Sequence, residues 1–443
     1  MKHAARHSFL VRPGGRPRGE LRVPGDKSIS HRAAMLAAIA DGETRVHGFL
    51  EGADCLATLR VFEAMGVTVT RQGGVLCIAG AGRDGLRPVA GALDLGNSGT
   101  SMRLLAGLLA GQAFDSVLTG DASLRKRPMG RVIEPLRQMG ADIAGEAGDL
   151  APLRIRGGRS LRGIRYRPPV ASAQVKSCVL LAGLYADGDT AVVEPAVSRD
   201  HTERMLSAFG VELFRDGDAV GLRGGQRLTG GELRVPADLS SATFFMLAAA
   251  IVPGAEVRLT GVGVNPTRDG VIAILRAMGV GIALENERTE GGEPVADLRV
   301  TGGALRGIEI DPALVPLAID EFPAVFVAAA CAEGDTVLRG AAELRVKESD
   351  RIAVMADGLA ALGVPVEVYP DGLRIRGGGA DFAFDGGEID SHGDHRIAMA
   401  FAMAGFRARD TIAIRDCANV ATSFPGFVAM AREAGLSIEE ANG

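Results

Sequence analysis

The 443-residue sequence has no tryptophan, only five cysteines and no excess of positive charge. The cysteines form no CxxC pair, so neither a disulfide framework nor a zinc site is expected, and a reducing cytoplasm fits them best. The formal net charge of −5 argues against a nucleic-acid partner, because neutralising a phosphate backbone calls for a basic face. Any anion site must therefore be a local cluster of lysine and arginine.

Long hydrophobic runs and the common cofactor motifs are also missing. No apolar run approaches the roughly 18 residues of a membrane span, and the basic opening residues lack the apolar segment of an export signal. The GxGxxG match at residues 80–85 is followed by Pro88 where a helix should open, and no GxxxxGK[ST] loop is present. His392 and His395 have no third metal ligand nearby in the sequence. We therefore expect no membrane segment, no metal and no cofactor.

A repeat is the strongest pattern that the sequence does contain. Six amphipathic segments, each ending in a glycine and a strand-like triplet, alternate with six apolar runs that lead through a polar turn into a strand. Each glycine is expected to end a helix in the left-handed conformation. A helix without a polar face belongs inside a domain, so the pattern predicts six buried helices with sheets and amphipathic helices outside. The glycines are Gly66, Gly140, Gly210, Gly279, Gly363 and Gly435.

The two halves of the chain also match each other. "ELRVPGDKSISHRAAML" at residues 20–36 parallels "ELRVPADLSSATFFML" at residues 232–247. We predict two similar domains of three repeats each, one formed by residues 1–24 with 237–443 and the other by residues 25–236. Pro24 and Pro236 mark the hinge where the chain passes between them. A cleft between two such domains is a natural ligand site.

Polar residues cluster immediately before each apolar run. A helix N-terminus carries free N–H groups and the positive end of the helix dipole, so it suits anions. Lysine or arginine beside it strengthens the attraction, and we expect several of these helix mouths to bind anions. The six stretches are "GDKSISHR", "GNSGTSMR", "ASAQVKS", "ADLSSAT", "AIDEFP" and "GDHR".

These stretches also have ordinary structural interpretations. Serine before a helix is usually an N-cap, and we assign Ser240 and Ser241, in the mouth without a cation, to that role. Lys347 and Arg351 share a face if their segment is helical, with Glu348 within reach of Arg351, but an ion-paired surface helix would look the same. A carboxylate of "IDEFP" is either a cap or a base facing a cationic cleft.

Six motifs resemble the 5-enolpyruvylshikimate-3-phosphate synthase family, in its order and over nearly the whole chain: "PGDKSISHR", "GNSGTSMR", "KRPMGR", "ASAQVKS", "RVKESDR" and "DHRIAMAF". The resemblance implies an α/β (α+β) fold of two domains, each of three βαβαββ repeats, with the active site in the cleft between them. It implies transfer of the enolpyruvyl group of phosphoenolpyruvate to the 5-hydroxyl of shikimate 3-phosphate, by addition and then elimination of phosphate. These small-molecule partners belong to aromatic amino acid biosynthesis, and we expect a cytoplasmic monomer.

The resemblance also implies roles for individual residues. Asp320 would take the proton of the 5-hydroxyl, Glu348 would move a proton at the methylene carbon, and Lys27 would contact both substrates. The shikimate 3-phosphate site would comprise Lys27, Ser28, Arg32, Ser172, Ala173, Gln174, Arg199, Asp320 and Lys347. The phosphoenolpyruvate site would comprise Lys27, Asn97, Gly99, Arg127, Gln174, Arg351 and Arg396.

Two positions depart from the family pattern. Thr422 stands where many members have a lysine that contacts phosphoenolpyruvate, and Ala173 stands where many have a second serine. Together with "ASAQVKS" and "SRDHTERM", these features resemble a divergent branch often associated with glyphosate tolerance. Gly99 nevertheless keeps the small residue that leaves room for glyphosate, so we expect a glyphosate-sensitive enzyme.

Two other functions stay open at this stage. The related enolpyruvyl transferase that acts on UDP-N-acetylglucosamine typically carries a cysteine in a mobile arginine-containing loop, and the corresponding "ASLRKRPMGR" has none. A non-catalytic protein that binds phosphorylated metabolites would keep the cleft, but it would have no need of Asp320 and Glu348.

Overall fold

The computed structural model describes residues 7–442, in which helices and strands alternate along the chain. The α-helices are α1 (Lys27–Ala38), α2 (Ala53–Ala64), α3 (Gly99–Ala110), α4 (Gly130–Gln138), α5 (Ala173–Gly183), α6 (His201–Ala208), α7 (Leu239–Ile251), α8 (Gly270–Ala277), α9 (Phe322–Ala330), α10 (Arg351–Ala361), α11 (His395–Ala404) and α12 (Phe427–Glu433). The strands are β1 (His7–Arg12), β2 (Glu20–Leu21), β3 (Ala40–Asp41), β4 (Glu43–His47), β5 (Thr68–Gln72), β6 (Val75–Ala79), β7 (Leu93–Asp94), β8 (Ser116–Thr119), β9 (Asp142–Glu146), β10 (Leu150–Arg156), β11 (Arg165–Tyr166), β12 (Asp189–Val193), β13 (Leu213–Asp216), β14 (Ala219–Arg223), β15 (Leu228–Thr229), β16 (Glu232–Arg234), β17 (Glu256–Gly263), β18 (Gly281–Glu290), β19 (Glu293–Thr301), β20 (Glu333–Leu338), β21 (Val366–Tyr369), β22 (Gly372–Gly378), β23 (Gly387–Asp390), β24 (Ile412–Arg415) and β25 (Ser437–Asn442).

The chain divides into two compact units. Unit 1 comprises the chain as far as Pro24, Pro236–Arg288 and the chain from Pro294 onward. Unit 2 comprises Gly25–Val235 together with Thr289–Glu293. The last segment lies at the tip of the β18–β19 hairpin, and nothing in the repeat pattern indicated that it groups with unit 2.

Each unit has three buried helices at its core, which confirms the prediction from the apolar runs. They are α1, α3 and α5 in unit 2, and α7, α9 and α11 in unit 1. In α7 and in α9 every residue is buried. A helix with apolar side chains on all sides has no surface to offer to water, so sheets and the amphipathic helices must cover it.

Glycine ends the six amphipathic helices as predicted. All six glycines of the repeat have a positive φ, between 82° and 102°. After α2, Gly66 N donates to Glu63 O and Val67 N donates to Phe62 O, which is the paired hydrogen-bond pattern of a Schellman cap. The left-handed glycine turns the chain sharply enough to release it into the following strand.

The sheets repeat one strand order. The four-stranded sheets of unit 2 are β16-β4-β6-β5, β7-β8-β10-β9 and β11-β12-β14-β13, and each begins with a short parallel strand followed by antiparallel pairs. The short strands β3 and β15 form a separate parallel pair. Unit 1 contains β2-β17-β19-β18, β20-β22-β21 and β23-β24-β1-β25. In the last of these, β1 from the start of the chain lies between β24 and β25 and is antiparallel to both, so it completes the sixth repeat.

Close packing of buried helices generates the first prediction. A Cβ atom added at Gly107 in α3 would lie 2.1 Å from the carbonyl oxygen of Cys178 in α5. We predict that Gly107→Ala lowers the free energy of unfolding by about 1–3 kcal/mol, because overpacking outweighs the gain of about 1 kcal/mol in helix propensity. Urea denaturation measures the change. Gly231→Ala, where an added Cβ meets no atom within 4 Å, is the control, and equal midpoints for the two variants would contradict the close packing.

Candidate active site

The mouth of α1 in unit 2 presents a partly exposed cation. Asp26 caps the helix and accepts a hydrogen bond from Ile29 N at 2.9 Å. Lys27 Nζ lies 2.5 Å from Asp54 Oδ2, in the first turn of α2, and the Lys27 side chain is 20% exposed. The carboxylate of Asp54 therefore holds the ammonium in place while leaving part of it open to solvent. Neither the motifs nor the family resemblance indicated a role for Asp54.

Arg32 in α1 is buried among neutral hydrogen-bond partners. Its guanidinium donates to Ser28 O at 2.9 Å, Thr202 Oγ1 at 2.7 Å and Ser177 Oγ at 2.8 Å. Burial lowers the pKa of Arg32 to about 10, and the nearby charge of Arg199 adds to the lowering while carboxylates oppose it. A buried guanidinium beside a second arginine is stabilised by an anion placed between them.

Two guanidinium groups flank the start of α3. Arg127 Nη2 donates to Asn97 Oδ1 at 2.6 Å. A Cβ atom added at Gly99 would lie 3.1 Å from Arg127 Nη1 and 3.3 Å from Arg103 Nη1. Glycine here leaves room between the two cations and the helix N-terminus. Arg103 was not among the predicted site residues, although it lies four residues after Gly99 on the same helix face.

The mouth of α5 is joined to that of α3. Arg103 Nη1 donates to Gln174 Oε1 at 2.6 Å, and Gln174 Nε2 donates to Thr100 Oγ1 at 3.0 Å. Ser172 caps α5, and Ala173 is the first residue of the helix. Side chains predicted to bind the two substrates therefore lie next to each other in unit 2.

A buried network of hydroxyl groups and one imidazole joins α1 to α3. His31 Nδ1 lies 2.9 Å from Thr58 Oγ1 and 3.2 Å from Ser101 Oγ, while the two hydroxyl oxygens are 2.6 Å apart. Ser98 Oγ lies 2.8 Å from Ser101 Oγ. Burial, together with the two cations of α1, lowers the pKa of His31 well below its ordinary value. The imidazole is therefore neutral at pH 7.

In unit 1, the buried guanidinium of Arg351 brings three carboxylates together. Its Nε donates to Asp394 Oδ2 at 2.8 Å, its Nη2 to Glu348 Oε2 at 2.7 Å and its Nη1 to Asp320 Oδ1 at 3.2 Å. Burial opposes the charge of Arg351, but the three carboxylates outweigh that effect and raise its pKa. Asp320 and Glu348 therefore occupy fixed positions on one cation.

Arg396 and Lys347 lie around the same carboxylates. Asp394 caps α11 and accepts from Arg396 N at 3.0 Å, and Arg396 Nη1 donates to Asp320 O at 3.2 Å. Lys347 Nζ lies 3.7 Å from Glu343 Oε1. Burial lowers the pKa of Lys347, although the neighbouring carboxylates, that of Asp320 first, oppose the shift.

Lys347 and Arg351 would share a face only if one helix contained both, and this condition is not met. The helix α10 begins only at Arg351, because Asp350 is its N-cap and accepts a hydrogen bond from Ala353 N at 3.0 Å. Lys347 instead ends the 3-10 turn Ala342–Val346. The predicted contact between Arg351 and Glu348 is confirmed, but Glu348 lies before the start of the helix.

Two expectations about the mouth of α7 are wrong. Asp238, and not Ser240 or Ser241, caps the helix, accepting hydrogen bonds from both serine N–H groups at 3.2 and 3.1 Å. The mouth does contain a cation, because Arg268 Nη2 lies 2.7 Å from Ser240 Oγ and 3.1 Å from Asp238 Oδ1. Ser240 Oγ also donates to the buried carboxylate of Glu321. Arg268 comes from the loop before α8, so the local sequence of the mouth did not indicate it.

Thr422, one of the two positions that depart from the family pattern, makes a local hydrogen bond. Thr422 Oγ1 donates to Asn419 O at 2.6 Å, so its hydroxyl is engaged within its own 3-10 turn.

His395 is buried as the first residue of α11, and His392 has a φ of 51°. Within residues 7–442, no cluster of three or more His, Cys, Asp or Glu side chains could hold a metal ion. No helix in this part of the chain has the length and hydropathy needed to cross a bilayer.

The comparisons with known proteins agree with one another. The chain matches the family described as EPSP synthase (3-phosphoshikimate 1-carboxyvinyltransferase) over residues 11–430. A relative from Alkalilimnicola ehrlichii named 3-phosphoshikimate 1-carboxyvinyltransferase is 64% identical over 432 residues, covering 97% of this chain and 96% of its own. The solved EPSP synthase from Acinetobacter baumannii is 55% identical with a TM-score of 0.89, covering 98% of this chain and 100% of its own.

A more distant solved structure shares the fold alone. The enolpyruvyl transferase NikO from Streptomyces tendae has a TM-score of 0.81 at 17% identity, over 99% of this chain and 100% of its own. The chain belongs to the EPSP synthase family, and the resemblance, the α/β fold class and the enzyme class predicted from the sequence are confirmed.

The neutral state of His31 leads to a prediction about stability and pH. The unfolded chain protonates this residue below its ordinary pKa of about 6.5, whereas the folded chain does not, so acidification favours unfolding. The free energy of unfolding should therefore fall as the pH drops below about 6.5, by at most about 1.36 kcal/mol for each pH unit. Urea denaturation at pH 7.5 and pH 5 should show a larger loss for the parent than for His31→Asn. The same pH dependence in both proteins would contradict the neutral, buried imidazole.

Proposed function

We propose that this chain transfers the enolpyruvyl group of phosphoenolpyruvate to the 5-hydroxyl of shikimate 3-phosphate and releases phosphate, as a step of the shikimate pathway. The observation that carries the proposal is the pair of carboxylates, Asp320 and Glu348, hydrogen bonded to the one guanidinium of Arg351. Addition and elimination need one group that accepts a proton from oxygen and another that moves a proton at carbon. A protein that only bound phosphorylated metabolites would need the cations but not this pair.

The proposed binding groups of unit 2 divide by substrate. Lys27, Arg32 and Arg199 suit the phosphate and carboxylate of shikimate 3-phosphate, with the hydroxyl groups of Ser28 and Ser172 beside them. The space at Gly99 between Arg127 and Arg103 suits phosphoenolpyruvate, and Gln174 and Asn97 hold those two arginines through hydrogen bonds. Ala173 would contribute only its backbone, which any residue at the start of α5 provides.

The proposed chemistry uses the carboxylates of unit 1. Asp320 accepts the proton of the 5-hydroxyl as that oxygen attacks C2 of phosphoenolpyruvate, and Glu348 delivers a proton to C3. The tetrahedral intermediate then loses a proton from the new methyl group and expels phosphate from C2, which restores the double bond. Lys27 stabilises the negative charge on the departing phosphate. The positive charges of Lys347, Arg351 and Arg396 offset the negative charges of the carboxylates and of the anionic substrates.

The finer aspects of the assignment are also proposals. We propose a monomer that works in the cytoplasm on small-molecule substrates, without a nucleic-acid partner. The five cysteines, all free and buried, are compatible with a reducing compartment. Size-exclusion chromatography with light scattering tests the oligomeric state, and a dimer would contradict the proposal.

The assignment of acid and base predicts the kinetics of two variants. Asp320→Asn and Glu348→Gln should each lower kcat by about 10²- to 10⁴-fold, because each removes one proton transfer. Phosphate release from phosphoenolpyruvate with shikimate 3-phosphate measures kcat, and calorimetry should still detect binding of shikimate 3-phosphate. Asp335→Asn, on the strand β20 of the same unit, is the matched control and should retain full activity. A parent protein that binds both ligands but releases no phosphate would favour the binding-protein function.

The space at Gly99 predicts sensitivity to glyphosate. Gly99→Ala brings a methyl group within 3.1 Å of Arg127 Nη1 and 3.3 Å of Arg103 Nη1, so both guanidinium groups must shift to make room for it. We expect the parent to be inhibited by glyphosate and the variant to show a KM for phosphoenolpyruvate and an inhibition constant each raised by about tenfold or more, equivalent to about 1.4 kcal/mol of binding. Initial rates measured at varied concentrations of phosphoenolpyruvate and glyphosate give both the KM and the inhibition constant. Unchanged turnover of the parent at glyphosate concentrations well above the KM for phosphoenolpyruvate would contradict this expectation.

A further inference from the structure

Lys176 is a buried cation that the proposed reaction does not use. It lies in the first turn of α5, and its side chain is 1% exposed. Its Nζ lies 2.7 Å from Glu203 Oε1, 2.8 Å from Glu194 Oε2 and 3.3 Å from Ser198 O. Burying an ammonium is costly unless it is paired, and breaking such a pair leaves a charge uncompensated. The three contacts therefore hold in place the segments that contain Glu194, Ser198 and Glu203.

Those partners lie on both sides of Arg199. Glu194 directly follows β12, and Glu203 lies in the first turn of α6. Ser198 Oγ donates to Glu194, and its carbonyl oxygen accepts from Lys176, so the two ends of the turn from residue 194 to residue 198 are held on one ammonium. Arg199 follows this turn immediately. Its backbone position is therefore set by contacts that converge on Lys176.

A second bridge between the same two helices holds Arg32. Ser177 Oγ and Thr202 Oγ1 lie 2.6 Å apart, and both accept hydrogen bonds from the Arg32 guanidinium. Ser177 follows Lys176 in α5, and Thr202 precedes Glu203 in α6. The spacing between α5 and α6 that Lys176 maintains is thus the spacing at which Arg32 is bound.

We propose that Lys176 is a positioning residue for shikimate 3-phosphate, holding the Arg199 loop and the start of α6 so that Arg199 and Arg32 act on the same anionic group. The inference rests on the proposed function, in which both arginines bind that substrate. The charge of Arg199 already disfavours the charge of Arg32 in the free protein, and a phosphate or carboxylate between them relieves that repulsion. Lys176 itself does not touch the substrate.

The first test separates KM from kcat. Lys176→Met keeps the length of the side chain and removes its charge, and it should raise the KM for shikimate 3-phosphate by about tenfold or more. The kcat and the KM for phosphoenolpyruvate, measured at saturating shikimate 3-phosphate, should stay within about threefold. Leu180→Ala, buried one turn further along α5, is the control for lost stability and should leave both KM values unchanged. An unchanged KM for shikimate 3-phosphate in Lys176→Met would overturn the proposal.

The second test asks whether Lys176 acts through Arg199. Arg199→Ala alone should raise the KM for shikimate 3-phosphate, and adding Lys176→Met should raise it by no more than about twofold further, because coupled residues are not additive. Multiplicative effects would overturn the positioning role while leaving the proposed function intact. No effect of Arg199→Ala would instead remove Arg199 from the substrate site and overturn the inference with it.

A milder variant keeps the proposal testable if Lys176→Met does not fold. Glu194→Gln retains the pairing of Lys176 with Glu203 and weakens only the attachment of the loop. It should raise the KM for shikimate 3-phosphate by about threefold or more, without a matching change for phosphoenolpyruvate. Equal changes for both substrates would contradict a role confined to the Arg199 loop.

Discussion

A helix buried on every side leaves N–H groups at its N-terminus that some other group must satisfy, and this constraint underlies the organisation of both units. In five of the six buried helices a side chain caps the first turn, namely Asp26, Ser98, Ser172, Asp238 and Asp394. The sixth helix, α9, follows Glu321 without a side-chain cap, and the proposed base Asp320 immediately precedes Glu321. Structural capping and the proposed chemistry therefore use the same short stretches of chain.

The two units resolve the charges at these mouths differently. In unit 2, Arg32 donates hydrogen bonds to hydroxyl groups and a carbonyl oxygen, and Arg127 donates one to an amide oxygen, whereas Lys27 is paired with the single carboxylate of Asp54. In unit 1, Arg351 is surrounded by carboxylates that raise its pKa. The first arrangement suits the binding of phosphate and carboxylate, and the second suits carboxylates that must stay in place while they exchange protons.

Local patterns in the sequence were sufficient for much of the fold. The glycine caps, the buried helices and the repeat depend on residues within one or two turns of each other, so periodicity revealed them. Long-range partners were not accessible in this way, because Arg268 and Ser240 are 28 positions apart and Arg32 and Thr202 are 170 apart. The position of β1 in the last sheet was not accessible for the same reason, because β1 pairs with strands near the other end of the chain. The N-cap at Asp350 separates Lys347 from α10, and the spacing of Lys347 and Arg351 in the sequence did not indicate that the helix begins between them.

In the proposed reaction, Asp320 and Glu348 drive addition at C2 and C3 of phosphoenolpyruvate before phosphate leaves. Exchange of hydrogen between solvent and C3 measures this most directly. A solvent hydrogen added at C3 creates a transient methyl group, and the elimination step can remove any one of the three hydrogens of that group. Proton NMR of a reaction in D₂O with both substrates should reveal deuterium at the vinyl carbon of the product and at C3 of residual phosphoenolpyruvate. Glu348→Gln should abolish that exchange. Product formed at the parent rate without any deuterium at these carbons would contradict the account.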